Sequence, residues 1–325
     1  MDDKKTGIKQ NLTNYGDLGF STFLRKSFIK GLGYSDEMLD KPIVGIINTF
    51  SDYNSCHGNV PDLIQSVRAG ILAKGAIPLE FPTISVHEAF SYPTSMYLRN
   101  LMAMDTEEMI RAQPMDSCVL IGGCDKTVPA QLMGALSVDM PVIQLVTGPM
   151  LTGSHRGERV GACTDCRRLW AKFRADEIDE AEINEANNQL VPTVGTCGVM
   201  GTASTMAMIA ETLGIMPPDS SCAPAVSSER RRISEKTGQI AVDIAINKRR
   251  PSSILTAKSF ENALMVLLAI GGSTNALIHL AAIAGRMGIK LDMESFDALS
   301  RTIPVIVDLK PSGEGYMDCL LYTSD

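Results

Sequence analysis

Three cysteines share one local setting. Cys56 follows Asp52-Tyr53-Asn54-Ser55, Cys124 lies in Gly122-Gly123-Cys124-Asp125-Lys126-Thr127, and Cys197 in Gly195-Thr196-Cys197-Gly198-Val199-Met200-Gly201. Glycines let the backbone approach closely, and helix-start amides can hold a thiolate negative. Three soft sulfur donors suit an iron–sulfur cluster or zinc. A cluster with three protein ligands keeps one iron open as a Lewis acid. The competing reading is that these are buried or coincidental loop thiols. Hard-ligand candidates lie close by in sequence. Asp125 adjoins Cys124, and Glu88 sits in another loop, so the two carboxylates could bind Mg²⁺ or merely cap helices and pair on the surface. Lys126 could bridge either acid. Cys163-x-x-Cys166 has no second C-x-x-C after it and only His155 as a nearby imidazole, so it reads as structural thiols rather than a redox or zinc site.

The elements that must position these groups follow a rhythm. Apolar runs at 43–47, 78–84, 117–121 and 141–146 read as strands, and each of the first three runs into a polar loop. Helices are expected from Pro61 (with Leu63, Ile64, Val67, Ile71 and Leu72 on one face), over 94–104 with a restart at Asp105-Thr106, over 129–136 and 177–189, and after Cys197 through Met200, Met206, Ile209 and Leu213. The 263–285 stretch reads as two buried helices around Gly271-Gly272-Ser273-Thr274-Asn275. Strand, loop, helix in alternation predicts an α/β fold with parallel strands flanked by helices, whose site lies at the strands' carboxyl ends. The 271–275 turn is expected to start a helix near that site, with Ser273 and Thr274 as substrate-binding candidates.

Composition narrows the function. The chain has 325 residues, 45% hydrophobic and 21% charged, with net charge −7, which argues against nucleic acid as partner. The Arg230-Arg231-Arg232 run reads as a solvated helix face. A membrane span over 263–285 would have to bury Asn275 and His279, and no signal-peptide pattern opens the chain, so a cytoplasmic protein with reduced thiols is expected. Neither a dinucleotide-binding glycine fingerprint nor a P-loop occurs.

At the cysteine loops the chain resembles the dihydroxy-acid, phosphogluconate and sugar-acid dehydratase family. The motifs are Asn54-x-Cys56-His57, Cys124-Asp125-Lys126-Thr127-Val128-Pro129-Ala130 ending at Gly134, Gly195-Thr196-Cys197 and the 271–275 turn, in order over residues 16–318. The resemblance implies that Cys56, Cys124 and Cys197 hold a [2Fe-2S] cluster. It implies that Glu88, Asp125 and an ε-carboxylated Lys126 hold Mg²⁺. Glu88, where the amino-acid-biosynthetic branch has Asp, and the stretches at 97–105, 161–168 and 195–206 look like the sugar-acid branch. Asp176, where that branch has Gly, is a departure away from the cluster loops.

The implied reaction is loss of water from a 2,3-dihydroxy sugar acid to give a 2-keto-3-deoxy acid, by an enzyme expected to be a homodimer or homotetramer. Residues 1–318 are then one metal-binding domain, which two subdomains could compose. The tail 319–325 resembles nothing in the family, which places a β-barrel domain and the catalytic base beyond it. The 325-residue chain alone is therefore expected to be inactive. The readings kept beside this one are dihydroxy-acid dehydratase of branched-chain amino-acid synthesis, and a non-catalytic zinc module using Cys163 and Cys166.

Overall fold

The computed structural model describes residues 6–10, 12 and 14–320. Helix α1 (Leu18–Lys30) starts where the Asp17 side chain accepts from the Phe20 amide. Strand β1 (Ile43–Asn48) then leads to α2 (Val60–Ala73), and β2 (Ile77–Pro82) through a long loop to α3 (Arg99–Ala112). Strand β3 (Ser117–Gly122) leads to α4 (Thr127–Val138), and β4 (Val142–Val146) follows. A short antiparallel hairpin, β5 (Gly153–His155) and β6 (Glu158–Val160), comes next. The remaining helices are α5 (Thr164–Arg174), α6 (Glu180–Leu190), α7 (Thr202–Thr212), α8 (Ser228–Ile246), α9 (Ala257–Ala269), α10 (Asn275–Arg286) and α11 (Met293–Ser300).

The first four strands pair in parallel in the order β2-β1-β3-β4, with Ile43 opposite Ile77, Val44 opposite Ser117 and Cys118 opposite Val142. Their runs are apolar at almost every position because both faces are covered. Ile43, Ile47 and Leu120 pack with Met102, Val128 and Leu132 of α3 and α4. Val44, Ile46, Val119 and Ile121 point the other way, onto Leu63 and Val67 of α2 and Val242 of α8. The expected α/β fold with flanked parallel strands is what the chain forms. No described helix is long and apolar enough to cross a membrane.

Four local expectations differ. Arg230, read as part of a solvated helix face, is fully buried, and its guanidinium donates to the Ala223 carbonyl. Leu72 is half exposed, because Ile71 completes the buried stripe of α2. No restart occurs at Asp105: α3 runs unbroken, and the Asp105 carboxylate accepts from the distant Ile84 amide at 2.7 Å instead of capping a helix. Met200 precedes α7 and packs with Leu309 and Met317. Residues 321–325 of the expected non-family tail lie outside the described residues.

Helices α2 and α8 cross in backbone contact. A Cβ on Gly70 would lie 2.0 Å from the Glu235 carbonyl oxygen, and one on Gly238 would lie 2.2 Å from that of Val67. Backbone cannot yield as a side chain can, so Gly70→Ala should destabilise the chain by about 3 kcal/mol or more in denaturant titration. Gly285→Ala, whose Cβ meets nothing within 4 Å, serves as the near-neutral control. Equal midpoints for the two variants would show that the crossing tolerates separation.

Candidate metal centre

Strands β1 and β3 are neighbours, yet β1 connects onward to β2 on one side and β3 to β4 on the other. The crevice at their carboxyl ends is the switch point where α/β sheets accept ligands. Cys56 leaves β1 in the turn Ser55–His57, and Cys124 leaves β3 just before α4. Both are buried, at 4% and 3% exposure.

His57 fastens the two loops together. Its Nε2 accepts from the amides of Gly123 (3.0 Å) and Cys124 (3.2 Å). That assigns the proton to Nδ1, which donates to the Thr49 carbonyl at 2.8 Å, with Ser85 Oγ at 2.9 Å. Burial of this imidazole outweighs the Thr49 bond and pulls its pKa down to about 4. Gly123 is the other requirement: a Cβ there would stand 1.9 Å from Thr147 Oγ1 and 3.1 Å from the Cys56 carbonyl.

Ligand atoms of Cys56, Cys124 and His87 lie within 4.8 Å of one another. Sequence reasoning passed over His87. Its signal was an imidazole one residue before Glu88, in the loop that leaves β2. The Ala89 amide donates to its Nδ1 at 3.1 Å.

Cys197 reaches the site by another route than Cys56 and Cys124. Its segment follows α6 rather than a strand of the sheet and is pinned by Gly195 N to the Ser55 carbonyl (3.1 Å) and by Thr196 N to that of Gly148 (2.9 Å). The Cys197 thiol stands outside the 4.8 Å group and lies 3.1 Å from Cys163 Sγ. Cys163, read from sequence as structural, is therefore exposed beside a candidate ligand. Cys56 is held well above the usual thiol range by its hydrogen bond to Cys124, by burial and by the charges of Cys124 and Cys197. Cys197 is raised by its bond to Cys163, by burial, and by the charges of Cys163, Asp125 and Cys124. Two thiols, Cys56 and Cys197, whose ionisation is opposed by neighbouring sulfurs and by burial fit a cationic group, which would reverse the penalty. The unpartnered, buried Thr147 hydroxyl lines the same crevice.

Glu88, Asp125 and Lys126 meet beside these thiols. Lys126, 5% exposed, donates to Glu88 Oε2 at 3.1 Å and to Asp125 Oδ2 at 3.2 Å. Burial works against the Lys126 charge, but the Asp125 and Glu88 carboxylates outweigh it and raise its pKa. Glu88 also accepts from Ser95 Oγ, Ser95 N and Thr94 Oγ1. Against the pull of burial, these donors and Lys126 bring its pKa down to about 2. An ammonium held between two carboxylates marks a place where a divalent cation is electrostatically welcome. The 271–275 turn does precede α10, but Ser273 N donates to Thr205 Oγ1 (3.0 Å) and Ser273 Oγ bonds Thr202 (2.8 Å), so Ser273 ties α10 to α7. Thr274 is exposed.

Residues 41–323 match the family described as Dihydroxy-acid/6-phosphogluconate dehydratase N-terminal. The chain is 44% identical over 309 residues to L-arabinonate dehydratase of Rhizobium leguminosarum bv. trifolii, covering 95% of this chain and 53% of that one. It is 42% identical over 283 residues to 6-deoxy-6-sulfo-D-gluconate dehydratase of Pseudomonas putida (87% and 49%). It is 37% identical over 300 residues to dihydroxy-acid dehydratase of Natronomonas pharaonis (91% and 50%). The chain spans about half the length of the curated relatives it matches.

The His57 fastening has a pH signature. Its folded pKa, about 4, lies below the ordinary histidine value of about 6.5. Above pH ~6.5 neither state binds the proton and the fastening is intact. As pH falls from there toward about 4, only the unfolded chain takes the proton, and stability is lost, by on the order of 3 kcal/mol. Denaturant titrations of the metal-free chain across that window should show His57→Gln, whose amide oxygen can accept both N–H groups, losing less stability than wild type. Parallel slopes would mean that His57 does not hold the Cys124 loop.

Proposed function

The chain belongs to the dihydroxy-acid/6-phosphogluconate dehydratase family, and from that premise we propose that it forms the metal-holding half of a hydro-lyase acting on a sugar acid. The product would be a 2-keto-3-deoxy acid. One observation carries the reading: a single loop, Cys124-Asp125-Lys126, sets a soft thiol group and a hard carboxylate group side by side at the β1/β3 crevice. Cys56, Cys124 and Cys197 would hold a [2Fe-2S] cluster, and Glu88, Asp125 and a carboxylated Lys126 would hold Mg²⁺. Bound there, the two metal groups would supply Lewis acidity, toward the departing hydroxyl and toward the carboxylate end of the substrate.

The chain's own residues do the positioning. His57 fixes the Cys124 loop, and with both ring nitrogens committed it is not a free base. Thr94 and Ser95 aim the Glu88 carboxylate. A ligand atom of His87 lies within 4.8 Å of both thiol sulfurs and adds a polar contact for a group bound there. Relatives named for arabinonate, xylonate and sulfogluconate support the sugar-acid substrate class over the branched dihydroxy acid. Cytoplasmic location and a homo-oligomeric enzyme belong to the same proposal.

Anaerobic reconstitution with iron and sulfide should give the chain a visible absorption spectrum, and Cys124→Ser should abolish it. A colourless, zinc-loaded chain, or a variant with an unchanged spectrum, would reject the cluster. In the enzyme that carries this chain, L-arabinonate or D-xylonate should yield a 2-keto-3-deoxy acid, and Glu88→Gln should lower turnover at least about 100-fold, as loss of an electrostatic stabiliser does. Turnover confined to a branched-chain dihydroxy acid would favour the biosynthetic branch.

A further inference from the structure

Cys163 and Cys197 come from different segments, yet their sulfurs lie 3.1 Å apart. Cys163 is exposed, whereas Cys56 and Cys124 are buried at 4% and 3%. A soluble oxidant therefore meets Cys163 before it meets the buried pair. The segment that carries Cys163 is firmly held. Asp165, two residues on and 1% exposed, accepts from the Gly161 amide (3.0 Å), the Tyr316 hydroxyl (2.6 Å) and Lys310 Nζ (3.3 Å). Cys197 is held from the other side by the Gly195 and Thr196 amide bonds described above. The neighbouring Cys166 thiol is turned onto the Cys163 carbonyl oxygen, 2.9 Å away, rather than onto its sulfur.

We propose that Cys163 and Cys197 are a dithiol modification site, which low-molecular-weight disulfides of the glutathione type oxidise to an intramolecular disulfide. The Cys163 thiolate attacks one sulfur of the small disulfide. That S–S bond breaks, a mixed disulfide forms on Cys163, and one small thiolate leaves and is protonated by water. The Cys197 thiolate then attacks the Cys163 sulfur and expels the second small thiol. Two cysteine thiols and one small disulfide become one protein disulfide and two small thiols, and two electrons pass to the oxidant. Closure needs the sulfurs to move from 3.1 Å to about 2.05 Å, within reach of side-chain rotation between two fixed segments. On the cluster reading proposed above, on which this consequence rests, the oxidised form has lost one of its three ligands. The disulfide and the cluster then compete for Cys197.

The test uses the full metal-free chain, incubated anaerobically with glutathione disulfide, alkylated, digested at acidic pH and mapped by mass spectrometry. The expected product is a Cys163–Cys197 crosslink that a thiol reductant reverses, that Cys166→Ser retains and that Cys163→Ser cannot form. A crosslink of Cys163 to Cys166 or of Cys56 to Cys124, or glutathione adducts with no crosslink, would overturn the proposal. Iron uptake is then read from visible absorption. The oxidised wild type should take up several-fold less iron than the reduced chain, while Cys163→Ser treated with the oxidant should match its untreated self. Equal loss in that variant would overturn the competition. Should the reduced chain bind no iron although the crosslink maps as expected, the cluster reading fails and the modification site stands.

Discussion

Two backbone amides, of Gly123 and Cys124, converge on one imidazole lone pair, that of His57 Nε2. The rest of the centre depends on this meeting. It joins the loop that leaves β1 to the loop that leaves β3, and so sets Cys56 beside Cys124. Because Asp125 and Lys126 follow Cys124 directly, the same bond sets where the carboxylates gather. The imidazole can do this only while it is neutral, since a second ring proton would turn the accepting nitrogen into a donor aimed at two N–H groups. Complete burial keeps it so.

Around that joint the electrostatics are deliberately unbalanced. Sulfurs crowd one side, and the ionisation of Cys56 and Cys197 is opposed by their thiol neighbours and by burial. Two carboxylates occupy the other side, with the Lys126 ammonium as their counter-charge. A polar environment of this kind would be costly at the centre of an apolar core. It is tolerated because it lies at the strand ends, where loops supply the donors, while the apolar faces of the sheet stay with α2, α8, α3 and α4.

The rim of the centre is built from distant sequence. The 308–318 segment returns to grip the β5–β6 hairpin and the start of α5: the Tyr316 hydroxyl donates to Asp165 and lies 2.8 Å from the Arg159 carbonyl oxygen, and Asp318 accepts from Arg159 and Thr152. Asp165, almost fully buried, is satisfied on both oxygens by this network, which suits a structural anchor. The anchor holds Cys163 against Cys197. It thereby connects the packing of a remote segment to the chemistry of a candidate ligand.

The sequence by itself determined the four strands of the parallel sheet, most of the helices and the donor types, but not the β5–β6 hairpin. Continuous apolar runs bounded by glycine and polar loops are local signals, and both period and composition survive without knowledge of neighbours. The resemblance carried by the Asn54-x-Cys56-His57 and Cys124-Asp125-Lys126 loops likewise named Cys56, Glu88, Asp125 and Lys126 before any geometry. Tertiary structure alone decided what those residues face. Leu72 lost its place in the core, Asp105 was claimed by the Ile84 amide, and Ser273 was claimed by α7. His87 and Cys163 joined the centre, although the C-x-x-C spacing of Cys163 pointed to Cys166 and not to Cys197. The strand order β2-β1-β3-β4 made the difference, because a crevice between β1 and β3 exists only once non-consecutive strands pair, and pairing across the chain leaves no trace in local periodicity.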